Sequence, residues 1–130
     1  MRKVVLFAVM AVVFILGGCA TSSPIHNISA EPAVGPGGRA VTMDEVGKAI
    51  LRAGGTMGWQ MKQMEPGYIV GTLKLREHVA VVDVRYTAKS YNITYKDSTN
   101  LQYDGANIHR NYNGWISNLD RAIKAQLATL

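Results

Sequence analysis

Acid–base chemistry has one concentrated source of groups in this chain. Tyr103, Asp104, His109 and Arg110 lie within the polar stretch 97–112, together with Asn107, Asn111 and Tyr112. An Asp, a His and an Arg so close in sequence can act as base, orienting group and anion clamp, and loops on a rigid sheet often carry recognition. What the stretch lacks is a nucleophile. Ser98 and Ser117 are near, but neither sits in the strained Gly-x-Ser-x-Gly elbow of a hydrolase. A small hydrolase using the His109 loop is the alternative reading, and a loop held by its own Asn and Asp hydrogen bonds accounts for the same residues. Metal chemistry has less support. His26, His78 and His109 form no i, i+4 pair and have no neighbouring ligand motif, so no metal and no cofactor is expected. Gly35-Pro36-Gly37-Gly38 lacks the Lys-Ser/Thr of a phosphate loop, and Met57, Met61 and Met64 read as core filler.

A second constellation is electrostatic. Lys62, Lys74, Arg76, Arg85 and Lys96 fall on one phase of the two-residue alternation, with Asp83 alone to offset them and Tyr68, Thr72, Asn92 and Thr94 interleaved. A wet sheet face guarded by Lys and Arg gives this pattern. So does a surface for an anionic partner: a phospholipid headgroup, lipopolysaccharide, peptidoglycan carboxylates or an acidic protein. Tyr68, Val70, Val79 and Val81 share that face and are apolar for a surface in water, which suits a subunit of a larger assembly.

The remaining reactive group is the chain's one cysteine, Cys19. Before it stand Met1-Arg2-Lys3 and an unbroken apolar run over residues 4–16, a charged start and core of the secretory type. Thirteen residues at about 1.5 Å each fall well short of a hydrocarbon core of roughly 30 Å, so the run is an export signal and not a permanent span. It ends in Leu16-Gly17-Gly18-Cys19, which resembles the lipobox of bacterial lipoproteins, with Gly17 where Ala or Ser is more usual. The resemblance implies that the Cys19 thiol carries diacylglycerol, that residues 1–18 are removed as a signal peptide and that the new amine is acylated. Ala20 in place of Asp implies sorting to the outer membrane, facing the periplasm. In general form the mature chain is similar to small envelope lipoproteins of Gram-negative bacteria.

Removal of Arg2 and Lys3 lowers Lys plus Arg from 14 to 12 against 9 acidic residues, and the formal charge from +5 to +3. That is mild, and nucleic acid is not an expected partner. With Cys19 acylated no thiol remains, so packing alone must hold the fold.

The elements that position these groups are legible from periodicity. Residues 19–41, with three prolines and the Gly-Pro-Gly-Gly run, read as the lipidated cysteine and a flexible tether. Thr42-Met43-Asp44-Glu45 is a capping box, and Val46, Ala49, Ile50 and Ala53 make one helical face that Gly54-Gly55 ends. From Trp59 the period becomes two, giving strands near 59–62, 68–76, 79–86 and 91–96. Trp59, Met61, Ile69, Leu73, Leu75, Val82, Val84, Ile93 and Tyr95 form the expected apolar face. Asn113 then caps a last helix with Trp115, Leu119, Ile123 and Leu127 in register. The expectation is one α+β domain over 42–130: a four-stranded antiparallel meander with an N-terminal and a C-terminal helix on one face. Its expected role is a non-enzymatic binding or assembly module, anchored to the membrane by lipid and meeting an envelope protein or an anionic envelope component.

Overall fold

The computed structural model describes residues 21–130; the expected signal peptide and Cys19 lie outside them. In chain order come β1 (Ser22–Pro24), β2 (Ile28–Pro32), a 3-10 turn at Pro36–Gly38, α1 (Met43–Thr56), β3 (Gln60–Glu65), β4 (Tyr68–Leu75), β5 (His78–Tyr86), β6 (Ser90–Thr99), β7 (Asn107–His109) and α2 (Arg110–Leu127). The class is α+β, but the sheet has five antiparallel strands in the order β2-β6-β5-β4-β3, and β1 and β7 form a separate two-stranded ribbon.

The expected capping box starts α1: the Thr42 hydroxyl accepts from Glu45 N at 3.1 Å, and the Glu45 carboxylate accepts from Thr42 N at 3.2 Å. Val46, Ala49, Ile50 and Ala53 are buried as their spacing requires. The helix does not stop at Gly54-Gly55. A Cβ on Gly54 would collide with the Met61 side chain, so packing keeps this glycine inside the helix. Termination falls to Gly58 at φ +85, where Gly58 N donates to Gly55 O and Trp59 N to Gly54 O, a Schellman closure that only a residue tolerant of positive φ makes without strain.

The meander registers as its alternation demands. Val82 and Val84 pair with Gly71 and Ile69 on one side and with Tyr95 and Ile93 on the other. Ile69, Leu73, Ala80, Val82, Val84, Tyr86, Tyr91 and Ile93 are buried in a single cluster with the helix residues Val46, Ile50, Ile116, Leu119 and Ile123. Leu75 is not part of it: at the β4–β5 turn it is 48% exposed. Among the methionines assigned to the core, Met61 packs against it while Met57 and Met64 are exposed.

The tether expectation is corrected. β1 runs antiparallel to β7, with Ser22 opposite His109, and β2 is the edge strand beside β6, with Ile28 opposite Ile93. Ile28, Ala33 and Val41 are buried. Fixing each residue's backbone costs about 1–2 kcal/mol, and that is offset by ladder hydrogen bonds, these three side chains and a set of asparagine brackets. Asn113 Nδ2 donates to Ser23 Oγ at 3.0 Å and Pro24 O at 2.9 Å, and its Oδ1 accepts from His26 N at 2.9 Å. Asn27 accepts from Tyr95 N and Asn92 from Ala30 N. The folded domain thus includes residues before 42. Periodicity missed them because an edge strand of five residues with a register shift and a terminal proline has no alternation to read.

The stretch 97–112 is likewise shorter as a loop than expected. β6 continues to Thr99 through a bulge at Lys96, residues 107–109 pair as β7, and α2 starts at Arg110. Asn113, already engaged with the N-terminal segment, is not the cap. His109 is, its Nδ1 accepting from Asn111 N at 3.1 Å.

One polar contact crosses the core. Tyr91 donates to Asp120 Oδ1 at 2.6 Å; Lys124 sits 3.1 Å from Asp120 Oδ2 and 2.8 Å from Glu31 Oε1. Burial, and then the hydrogen bond to Asp120, push the Tyr91 phenol far up, so it stays a donor at any physiological pH. Tyr112 is also fully buried, yet its hydroxyl has no partner among the described residues. The two tyrosines therefore predict opposite outcomes in urea unfolding. Tyr91→Phe removes a donor from a buried carboxylate and costs about 1–3 kcal/mol, whereas Tyr112→Phe removes an unsatisfied group and leaves stability unchanged or raised. Equal losses in the two variants would contradict this assignment.

Candidate functional site

The helix-free face of the sheet carries Gln60, Lys62, Tyr68, Val70, Thr72, Lys74, Val79, Val81, Asp83, Arg85 and Thr94, and in β4, β5 and β6 these alternate with buried residues. Lys62, Lys74, Arg76, Arg85 and Lys96 are all exposed. Arg76 belongs to the β4–β5 turn, at φ +57. A bulge alters the charge balance. With Lys96 as the extra residue in β6, Asp97 comes opposite Val81. Asp83 is therefore joined on this face by Asp97, and the face is less basic than strict alternation predicts.

Its centre is a linked set. The Arg85 guanidinium lies 4.1 Å over the Tyr68 ring, Tyr68 donates to Asp83, and Lys96 Nζ lies 3.4 Å from the Tyr68 hydroxyl and 3.5 Å from Asp83 Oδ1. The Tyr68 hydroxyl and Asp83 hold the Lys96 ammonium above its ordinary value of 10.5. Lys62, Lys74 and Arg76 make no ion pair among the described residues. Beside Lys62 and Lys96 the surface dips into a hollow of about 390 Å³ over Val70, Thr72 and Met64.

The second predicted site is distributed differently. Asp104 closes a turn on itself, its Oδ1 accepting from Asn107 N at 2.7 Å and Ala106 N at 2.9 Å. Those two N–H groups hold the carboxyl below its ordinary 3.8. Tyr103 stacks on Tyr95 at 4.0 Å, and Tyr112 meets Tyr95 edge-on at 5.8 Å. His109 caps α2 and lies 6.3 Å, ring to ring, from His78, whose Nδ1 is 2.8 Å from Asn100 O. Arg110 is exposed, and its backbone N–H donates to Thr21 O. The atoms a catalytic dyad would use are thus committed to a turn and a helix cap. No group of three or more His, Cys, Asp or Glu that could hold a metal occurs among the described residues.

A cleft escaped the sequence reading. Met43 and Asp44 of α1, Gln63 and Glu65 of β3, Pro66 of the β3–β4 turn and Tyr86 of β5 enclose about 490 Å³. The available signal was the Glu65-Pro66-Gly67 turn, but nothing local says that the first turn of α1 packs beside it.

Two outcomes follow from the loop's geometry. His109→Asn, which keeps a cap acceptor, holds wild-type stability, while His109→Ala loses about 1 kcal/mol. Because the folded Asp104 pKa is lowered, its turn stabilises the fold above the unfolded value and loses that contribution as pH falls through the folded one. A carboxyl carbon NMR titration with an Asp104 midpoint at or above 3.8 contradicts the turn.

No protein-family model, curated protein or solved structure matches this chain.

Proposed function

We propose that the chain is a non-enzymatic lipoprotein of the bacterial cell envelope, acylated at Cys19, whose domain rests on the membrane by its β1–β7 end and turns its helix-free sheet face sideways to an envelope partner. The observation that carries this reading is the length of chain between Cys19 and β1: Ala20 and Thr21. Even fully extended, the three steps from Cys19 to Ser22 reach about 10 Å. An acyl group on Cys19 therefore holds the domain against the headgroups, not at the end of a long tether. Two or three acyl chains suffice for a lasting anchor at ~0.8 kcal/mol per buried methylene, and no helix among the described residues is long and apolar enough to cross a membrane.

The position of β1 decides which cations meet lipid. His109 pairs with Ser22, His78 lies beside His109, and Asn100 donates to Glu77 O at 2.9 Å, so the β4–β5 turn and the start of α2 occupy the same end. Lys74, Arg76 and Arg110 are at that end. Lys62 and Arg85 sit farther along the strands, toward the β3–β4 turn and the end of β5. Only charges within a Debye length of roughly 8 Å feel an anionic surface at physiological salt. The predicted basic face thus divides: Lys74 and Arg76, joined by Arg110, suit headgroup phosphates, whereas Lys62, Arg85 and Lys96 with Val70 and Val81 suit a partner at the side.

The test is an amide-shift titration of residues 20–130 with anionic and with zwitterionic vesicles. Shifts are expected at Lys74, Arg76, Arg110 and the β1–β7 ribbon with anionic vesicles, fading with salt. At about 1 kcal/mol per cation, changing all three to Ser weakens partitioning roughly a hundredfold. Shifts confined to Lys62 and Arg85, or equal shifts with zwitterionic lipid, defeat the reading.

A further inference from the structure

We infer that the cleft between α1 and the β3–β4 turn is a binding site for a small organic cation: an ammonium group on a compact apolar body. The cleft's volume of about 490 Å³ falls in the range of small-ligand sites, roughly 300–1,000 Å³. Met43, Pro66 and Tyr86 supply apolar walls, and Met43 is 37% exposed. Its charged lining residues are both acidic, Asp44 and Glu65, with no Lys or Arg among them. Glu65 has no hydrogen-bond or ion-pair partner for its carboxylate among the described residues. Asp44 lies 3.0 Å from Lys48, but both side chains are more than half exposed, and a pair of that kind is readily exchanged for a ligand. An anion would meet two negative rims, and a neutral body would leave them unused.

The walls are already in place. Gln63 Nε2 donates to Glu65 O at 2.6 Å and Tyr68 O at 3.2 Å, and the Tyr86 hydroxyl lies 3.2 Å from Gln63 Oε1. At Gly47 a Cβ would collide with the Tyr86 hydroxyl, and at Gly67, φ +84, it would lie 2.7 Å from Met43 Cε and 3.0 Å from Tyr86 O. Helix, turn and tyrosine approach this closely because both positions lack a side chain. A ligand therefore meets a preformed cleft and loses little affinity to ordering it. The positive end of the α1 dipole, which would oppose a cation, is faced by Asp44 and Glu45 in the first turn. Glu45 itself is engaged, its carboxylate held low by Arg39 and by Thr42 N.

Orientation adds a consequence that rests on the anchoring proposed above. β5 runs nine residues from His78, beside the β1–β7 ribbon, to Tyr86 in the cleft, about 27 Å at 3.3–3.4 Å per residue. The cleft then opens away from the lipid, toward a water-borne ligand.

The experiment uses the full-length chain in dodecyl maltoside micelles, labelled at methionine methyls, with phenethylammonium as probe and 2-phenylethanol and 3-phenylpropionate as neutral and anionic counterparts. Saturable shifts of Met43 are expected with the ammonium, with the other two at least about fivefold weaker, the strength of two rim charges. The double variant Asp44→Asn, Glu65→Gln is expected to bring the ammonium down to the neutral compound's affinity while leaving the spectrum folded. Equal binding of the neutral compound overturns the inference, as do shifts at Met57 and Met64 without Met43. A blocked Gly-Lys-Gly peptide binding more tightly than the free amine also overturns it, by moving the cation to a protein partner. None of these readouts depends on Cys19 or on vesicles, so failure of the membrane reading leaves the cleft's test intact.

Discussion

Asp120 is the charged residue buried in the described part of the molecule, and the position of the N-terminal segment depends on it. A carboxylate out of water must be matched, and here Tyr91 of β6 and Lys124 of α2 match it. Lys124 reaches on to Glu31 in β2, so α2, a central strand and the edge strand are joined by one chain of charge-assisted contacts. Glu31 and Asp120 hold the Lys124 ammonium above its ordinary 10.5, which keeps the link charged throughout the neutral range. Without that link, β2 would keep its ladder with β6, the Asn92 bracket on Ala30 N and the burial of Ile28.

Because β2 is held, the preceding residues have nowhere to spread. Asn113 ties Ser23, Pro24 and His26 to α2, and β1 closes against β7. The chain's entry into the domain is therefore fixed at the end where α2 starts. That placement gives the molecule a polarity: an entry end with His78, His109 and Arg110, and a far end with Tyr86, Glu65 and the first turn of α1. The sheet's uncovered face runs between them.

The same geometry explains the fate of the two constellations singled out by residue type. Asp104 and His109 are polar and close in sequence because a turn and a helix start both need local acceptors, and their lone pairs are taken by Asn107, Ala106 and Asn111 amides. Lys62, Lys74 and Arg85 on the sheet face follow the alternation, yet a bulge at Lys96 brings Asp97 among them. A bulge shifts the phase by one residue, which no count of alternating positions detects.

Much of the fold was legible in local pattern. Capping chemistry located the start of α1, the 3.6-residue period located both helices, and the two-residue period assigned the buried faces of β4 and β5 almost residue by residue, because each depends on neighbours within a few positions. The charged start, the apolar run and Leu16-Gly17-Gly18-Cys19 lie outside the described residues, and the reading proposed for them rests on sequence alone. The tertiary structure decided the rest. It recruited residues 22–32 as strands, ended α1 at Gly58 instead of Gly54, gave the α2 cap to His109 and built a cleft from Met43, Glu65 and Tyr86. The recruited strands and the cleft depend on contacts between segments far apart in the chain, and such contacts leave no period in the sequence, because packing across the core, not the spacing of neighbours, selects the residues that make them.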